Sequence, residues 1–216
     1  MDKIAILVCG VHRSGTSAMS GVINILDAYM GENMLQPHIS NERGFYENKD
    51  VVTLNDYILT KLSSSWYDTE ELVIDYENKE LLELIKYVLM ITFGDDSIIS
   101  IKDPRMCLLF PLYQSVLNKL GYEVYYIRTH RPHDEIVKSL IKREGGLEEE
   151  WFNLISKYNK HLDGLPIETM NINYLDLLEN IDGVIVRLQE YLPFLNYSEE
   201  NITKIKIFID KSLKHH

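Results

Sequence analysis

The sequence predicts an α/β fold, a three-layer αβα sandwich around a central, mostly parallel sheet of about four to five strands. Short apolar runs such as KIAILVC (Lys3 to Cys9) alternate with longer segments of helical spacing. A run apolar at nearly every position is a strand buried on both faces, as parallel strands are. Alternation of strands and helices implies crossover helices on both sides of one sheet. Basic residues also gather at the ends of three predicted strands, in CGVHRSGTS, IKDPR and IRTHRP. That is the edge at which such sheets bind ligands.

The elements follow in order. Lys3 to Cys9 is the first strand, ending at Gly10. Thr16 to Tyr29 has Met19, Val22, Ile23 and Leu26 on one helical face, with small Ala18, Ser20 and Gly21 allowing close packing. The polar stretch NMLQPHISNERGFYENKD is long for a connection, the kind of loop that carries function. Asp50 to Leu62 and Glu80 to Phe93 are predicted helices, and Ser97 to Ile101 the second strand. Cys107 to Leu120 is helical and stops at Gly121. Tyr122 to Ile127 is the third strand, followed by a helix from Pro132 to about Arg143 with proline at its start. Leu147 to Leu162 is a further helix and Glu168 to Ile172 a fourth strand; helices over Asp182 to Leu192 and Glu199 to Leu213 complete the chain. With 216 residues and no linker, repeat or low-complexity stretch, the expectation is one domain over residues 1–216.

A formal net charge of −11 argues against nucleic acid or an anionic membrane as the partner. The charge is unevenly spread. Between Lys102 and Arg143 eight basic residues stand against four acidic ones, a local positive field suited to a small anion. No apolar run is long enough for a signal segment or a membrane span, so a cytoplasmic location is expected. Cys9 and Cys107 fall in apolar segments and read as core residues of a reducing compartment. The seven histidines show no paired spacing with cysteines or carboxylates, so no metal site is expected.

The loop GVHRSGTS (Gly10 to Ser17) joins a strand to a helix, so its backbone N–H groups converge on one point where an anion can sit. This makes the predicted fold P-loop NTPase-like. In a loop that uses ATP or GTP, a lysine reaches the phosphates and the next hydroxyl holds Mg²⁺. Here Thr16 stands at the lysine position, and Arg13 is the only cation inside the loop. Arginine presents a planar fork of donors that can cover an anion, so charge is neutralised without a metal.

Several stretches together resemble the sulfotransferases that use 3′-phosphoadenosine 5′-phosphosulfate (PAPS), in their bacterial-type form. HRSGTS is similar to the family's 5′-phosphosulfate loop, and YYIRTHRPHDEIVKSL to its 3′-phosphate motif; NERGFYENKDVVTLND, SSSW, IKDPRMCLLFP and INYLDLLEN occur in the family's order. The resemblance spans nearly the whole chain. It implies that Arg13, Ser14, Gly15, Thr16 and Ser17 hold the 5′-phosphosulfate, and that Arg131 and Ser139 hold the 3′-phosphate, with the product adenosine 3′,5′-bisphosphate (PAP) left behind. It also implies a catalytic Lys102 near the sulfuryl group, with Arg13 sharing the charge stabilisation. Arg128 competes with Arg131, and its strand-end position suits a salt bridge.

Transfer of a sulfuryl group needs in-line positioning, charge stabilisation and a base for the acceptor proton. Glu47, on the long loop, is the chosen base and acceptor contact, with Glu42, His38 and Asp103 as rivals; Arg105 is grouped with the acceptor side. His12 is read as shaping the loop. Phe45, Tyr46, Trp66 and Tyr67 either line an acceptor pocket or close the core. The residues leave the acceptor open among a small molecule such as an alcohol, a carbohydrate, a lipid-linked sugar and a tyrosyl peptide, each with a hydroxyl or amine to offer. Two other readings stay open. One is a P-loop nucleotide kinase or NTPase with Asp103 organising Mg²⁺; the other is a catalytically inactive PAP/PAPS-binding module.

Overall fold

The structure is a computed structural model and describes residues 3–38, 44–166 and 168–209. Among these residues four strands, β1 (Lys3–Cys9), β2 (Ile98–Ile101), β3 (Tyr122–His130) and β4 (Met170–Asn173), form one parallel sheet in the order β2-β1-β3-β4. The register sets Leu7 of β1 between Ile101 and Tyr126, and Cys9 beside Arg128. Successive β1 side chains point to opposite faces. Ala5, Leu7 and Cys9 join the core built by α2 (Lys49–Lys61), α3 (Lys79–Phe93), α4 (Met106–Lys119), α5 (His133–Glu144) and α6 (Glu148–Leu162). Ile4, Ile6 and Val8 join the core of α1 (Thr16–Ile25), α7 (Tyr174–Glu179), α8 (Ile181–Tyr191) and α9 (Glu199–Phe208). Ile6 and Leu7 are wholly buried, and each contributes about 1.5–3 kcal/mol by leaving water.

The strand order explains where a ligand can sit. From β1 the chain crosses to β2 on one side, then returns past β1 to β3 on the other. The loops after β1 and β3 therefore diverge and open a crevice at the carboxyl edge.

Three elements differ from the sequence expectation. The first helix ends at Ile25, not Tyr29, because the burial period changes from helical to alternating: Ala28 and Met30 are buried around Tyr29. Tyr29 then bridges Ile99 at the outer edge of β2, its N–H donating to the Ile98 carbonyl at 3.0 Å. β3 runs three residues beyond Ile127, since Ile127 to His130 pair with Met170 to Asn173 of β4. A partner so far along the chain leaves no mark on local periodicity. Finally, NYLDLLEN contains the short helix α7, capped by the Asn173 side chain on the Leu175 N–H. The expected last helix is described as far as Phe208, and residues 210–216 lie outside the described residues. Among the described residues no helix is long and apolar enough to cross a membrane.

Candidate functional site

The loop after β1 is shaped by close contacts at its base. Gly10 lies where an added Cβ would sit 2.3 Å from Thr129 Oγ1 and 2.6 Å from Ser14 Oγ, so only glycine fits. The Cys107 thiol bonds both the N–H and the carbonyl of Gly10 at 3.2 Å; it and Cys9 are buried and free, as core cysteines are. Ser14 N–H donates to Val11 O at 3.1 Å and its hydroxyl pairs with Thr129 Oγ1 at 2.8 Å. Ser14 is thus committed to holding the turn and does not line the cleft.

Arg13 has φ 66 and Gly15 φ 99, two left-handed residues that curl the backbone at the helix entrance. Such a turn gathers N–H groups into an anion-binding concavity. At Gly15 a Cβ would meet the Tyr174 ring at 2.5 Å, a second reason for glycine. Gly15 is the N-cap of α1 and supplies no side-chain cap, so the first turn, Thr16 to Ala18, opens directly onto the cleft.

That cleft, about 780 Å³ including its solvent-continuous mouth, is lined by the loop residues and by Phe45, Glu47, Lys102, Arg131, Arg143 and Tyr174, among others. Lys102 follows β2 directly. Its Nζ donates to Glu47 Oε1 at 2.5 Å, to the Phe45 carbonyl at 3.1 Å and to Ser17 Oγ at 3.2 Å. Both members of the pair are nearly buried, with side chains 2% and 9% exposed. Glu47 is positioned by its carbonyl, which accepts from Leu35 N–H at 2.8 Å, and by the next residue, Asn48, whose side chain caps α2.

Arg13 Nε donates to Ser139 Oγ at 2.8 Å. Arg131 Nε donates to Glu135 Oε2 at 2.9 Å and its NH1 to the Arg13 carbonyl at 3.3 Å, while its guanidinium lies 5.0 Å from the Tyr174 ring centre. Ser139 is buried behind Arg13 and does not line the cleft; its direct partner is Arg13, not Arg131. Burial, then the charges of Arg143 and Arg131, push the Arg13 guanidinium below its ordinary value. Like charges converge here, a field that an anion relieves.

Several expected residues lie elsewhere. Arg105 does not line the cleft: its Nε donates to Asp56 Oδ1 at 2.5 Å and its NH1 to Asp103 Oδ1 at 2.9 Å. Burial lowers its pKa, but Asp103 and Asp56 outweigh that and raise it. Asp103 is wholly buried, and its second oxygen accepts from Asn55 Nδ2 at 2.9 Å. Lys102 and Asp103 both follow β2 but take different partners, Glu47 for the lysine and Arg105 and Asn55 for the aspartate. Arg128 pairs with Asp163 at 2.9 Å and Asn159 at 3.1 Å, the structural role its position suggested. Trp66 and Tyr67 pack on each other, and Trp66 also stacks on Trp151; neither lines the cleft, whereas Phe45 and Tyr46 do. His38 does not line it either, and Glu42 lies outside the described residues.

Sequence reasoning missed Arg143, Tyr174 and Phe208 in the lining. Helical spacing would have found Arg143, four residues beyond Ser139 on the same face of α5. Tyr174 carried a signal too, two residues after the predicted strand that ends at Ile172. Phe208 comes from the last helix and had none.

His12 lines the cleft at the foot of the loop but is buried, its ring 4.7 Å from that of Trp66 and its Nε2 3.4 Å from Tyr158 Oη. Burial, then the charges of Arg105, Arg143, Lys102 and Arg13, hold it neutral well below the ordinary imidazole range. The unfolded chain takes up a proton near pH 6.5 that the folded chain refuses. Stability is therefore full above about pH 6.5 and falls below it by up to ~1.4 kcal/mol per pH unit. Urea midpoints between pH 7.5 and 5.5 should fall for the wild type and less steeply for His12→Gln; parallel curves would rule His12 out as the cause.

No protein-family model and no curated protein matches this sequence. Solved structures do. The sulfotransferase STF9 from Mycobacterium avium has a TM-score of 0.55 at 12% identity, covering 100% of this chain and 70% of that one. The sulfotransferase STF1 from Mycobacterium tuberculosis H37Rv has a TM-score of 0.53 at 14% identity, covering 95% and 71%. A sugar kinase from Janibacter sp. HTCC2649 has a TM-score of 0.50 at 15% identity, covering 88% and 95%. At such identities the likeness defines the fold, which is of sulfotransferase type.

Proposed function

We propose that the protein is a PAPS-dependent sulfotransferase, moving a sulfuryl group from PAPS to the hydroxyl or amine of an acceptor by in-line displacement without a metal. The observation that carries this reading is the buried Lys102–Glu47 pair, bonded to Ser17 of the loop, in the same cleft as Arg13 and Arg131. The donor set fits the nucleotide: Arg13 and the first turn of α1 suit the 5′-phosphosulfate, and Arg131, braced by Tyr174, suits the 3′-phosphate. Ser139 serves through Arg13.

When bound, the donor supplies the sulfuryl group and a phosphate that departs. Glu47 accepts the proton of the acceptor hydroxyl. Lys102 offsets the negative charge that builds on the departing oxygen, in a site where low polarity strengthens the effect. Phe45 and Tyr46 offer apolar faces to the acceptor.

The kinase reading has one structural neighbour in its favour, the Janibacter sugar kinase fold. It needs Asp103 to organise Mg²⁺, and that carboxylate is already engaged by Arg105 and Asn55. Thermal stabilisation separates the readings, since a ligand stabilises by its affinity for the native state. At a hundredfold excess over Kd, PAP should raise Tm by about 5 °C or more without Mg²⁺. Stabilisation by ATP only with Mg²⁺ would instead support the kinase. Stabilisation by PAP with no transfer from labelled PAPS to any of a panel of alcohols, sugars and amines would support the inactive module.

A further inference from the structure

The assignment of the proposed donor leaves Arg143 without a role. Arg13, Lys102 and the α1 N-terminus already meet the 5′ end, and Arg131 meets the 3′ end. Arg143 nevertheless lines the cleft. It lies about 15 Å along α5 from the helix start beside Arg131, one turn past Ser139, the residue that accepts from Arg13. Arg131 and Arg143 are therefore attached at opposite ends of α5, with Ser139 and its partner Arg13 between them.

The side chain is 22% exposed, and among the described residues its ionic partner is Glu144, with Nε 2.5 Å from Oε1. Among the described residues the buried Nε–H has no hydrogen-bond acceptor. The residue nevertheless lines the cleft, where an anion that takes the remaining donors of its guanidinium gains a charge-assisted contact.

We infer that Arg143 forms an anion subsite on the acceptor side, so that the compound sulfated carries a negatively charged substituent near its reacting hydroxyl. This rests on the sulfuryl-transfer reading. Phosphate and carboxylate share the necessary chemistry, both being planar or tripodal sets of acceptors that a guanidinium can bind with two parallel bonds. The acidic protein as a whole favours one such group over a polyanion.

The test adds glycerol, D-glycerate or glycerol 3-phosphate to the protein saturated with PAP, for wild type, Arg143→Gln and Arg143→Lys. Glycerol 3-phosphate, glycerate or both should raise Tm further in the wild type and glycerol should not. In Arg143→Gln the apparent affinity for the stabilising anion should fall at least tenfold while that for PAP stays within about twofold; Arg143→Lys should be intermediate, because it keeps the charge and loses the fork. A tenfold loss of PAP affinity in Arg143→Gln would assign Arg143 to the donor and overturn the inference. So would a wild type blind to both anions, or a variant that responds as the wild type does, as when an anion simply settles in the sulfuryl position. Failure of PAP to stabilise the wild type sinks the donor reading itself; PAP binding with an unchanged anion response sinks the Arg143 subsite alone.

Discussion

Lys102→Met should abolish sulfuryl transfer and, separately, destabilise the fold. The two effects have different origins. Lys102 lies against Glu47 with both side chains nearly buried, and removing one partner of such a pair leaves the other charge uncompensated, at a cost of about 3–5 kcal/mol. In a chain of this size that is roughly 6–20 °C in Tm. Replacing both members, Lys102→Met with Glu47→Leu, should return most of that stability, because the desolvation of both charges disappears together. Transfer should stay absent in the double variant. Glu47→Gln tests the base alone. Its amide still accepts from Lys102 but cannot take a proton, so the rate constant should fall by about 10²–10⁴ while PAP affinity holds within a few-fold. Turnover by Glu47→Gln at the wild-type rate would remove Glu47 from the mechanism. Loss of PAP affinity equal to the loss of rate would make it a binding residue only.

Much of this site was legible because the relevant signals are local. A strand that ends in a glycine loop and opens a helix is visible in KIAILVCGVHRSGTS, and so is the absent loop lysine. The alternation rule also gathers Lys102 and Arg131 at one edge of the sheet before any coordinates are known. What failed to show was pairing between distant segments. The Glu135 partner of Arg131, the Ser139 partner of Arg13 and the Asp56 partner of Arg105 depend on how helices cross the strand ends. Arg105 illustrates the point: its place in IKDPR suggested the cleft, yet Asp56 of α2, together with Asp103 of its own stretch, holds it away. Ser14 illustrates the reverse, a loop residue whose hydroxyl is taken by Thr129 at the base of the turn. Chemistry-bearing residue types can be read from spacing, but the choice between ligand contact and internal support needs the packing.

Arg131→Ala should remove most of the affinity for PAP while sparing adenosine 5′-phosphate, which lacks the 3′-phosphate. Arg131 is held on three sides, by Glu135, by the Arg13 carbonyl and by the Tyr174 ring, with its side chain only 7% exposed. A guanidinium so fixed has little rotamer freedom left to lose on binding, so its bonds to an anion are realised nearly in full. Truncating one partner of a buried, hydrogen-bonded charge pair costs about 2–5 kcal/mol, which is roughly 30- to 5,000-fold in Kd. Arg131→Lys should recover only part, since an ammonium cannot bridge Glu135 and the Arg13 carbonyl in one plane. The affinity of adenosine 5′-phosphate is the decisive control. Should it fall as far as that of PAP, Arg131 would act by bracing the Arg13 carbonyl and hence the loop, and the 3′-phosphate would have to be held by other residues.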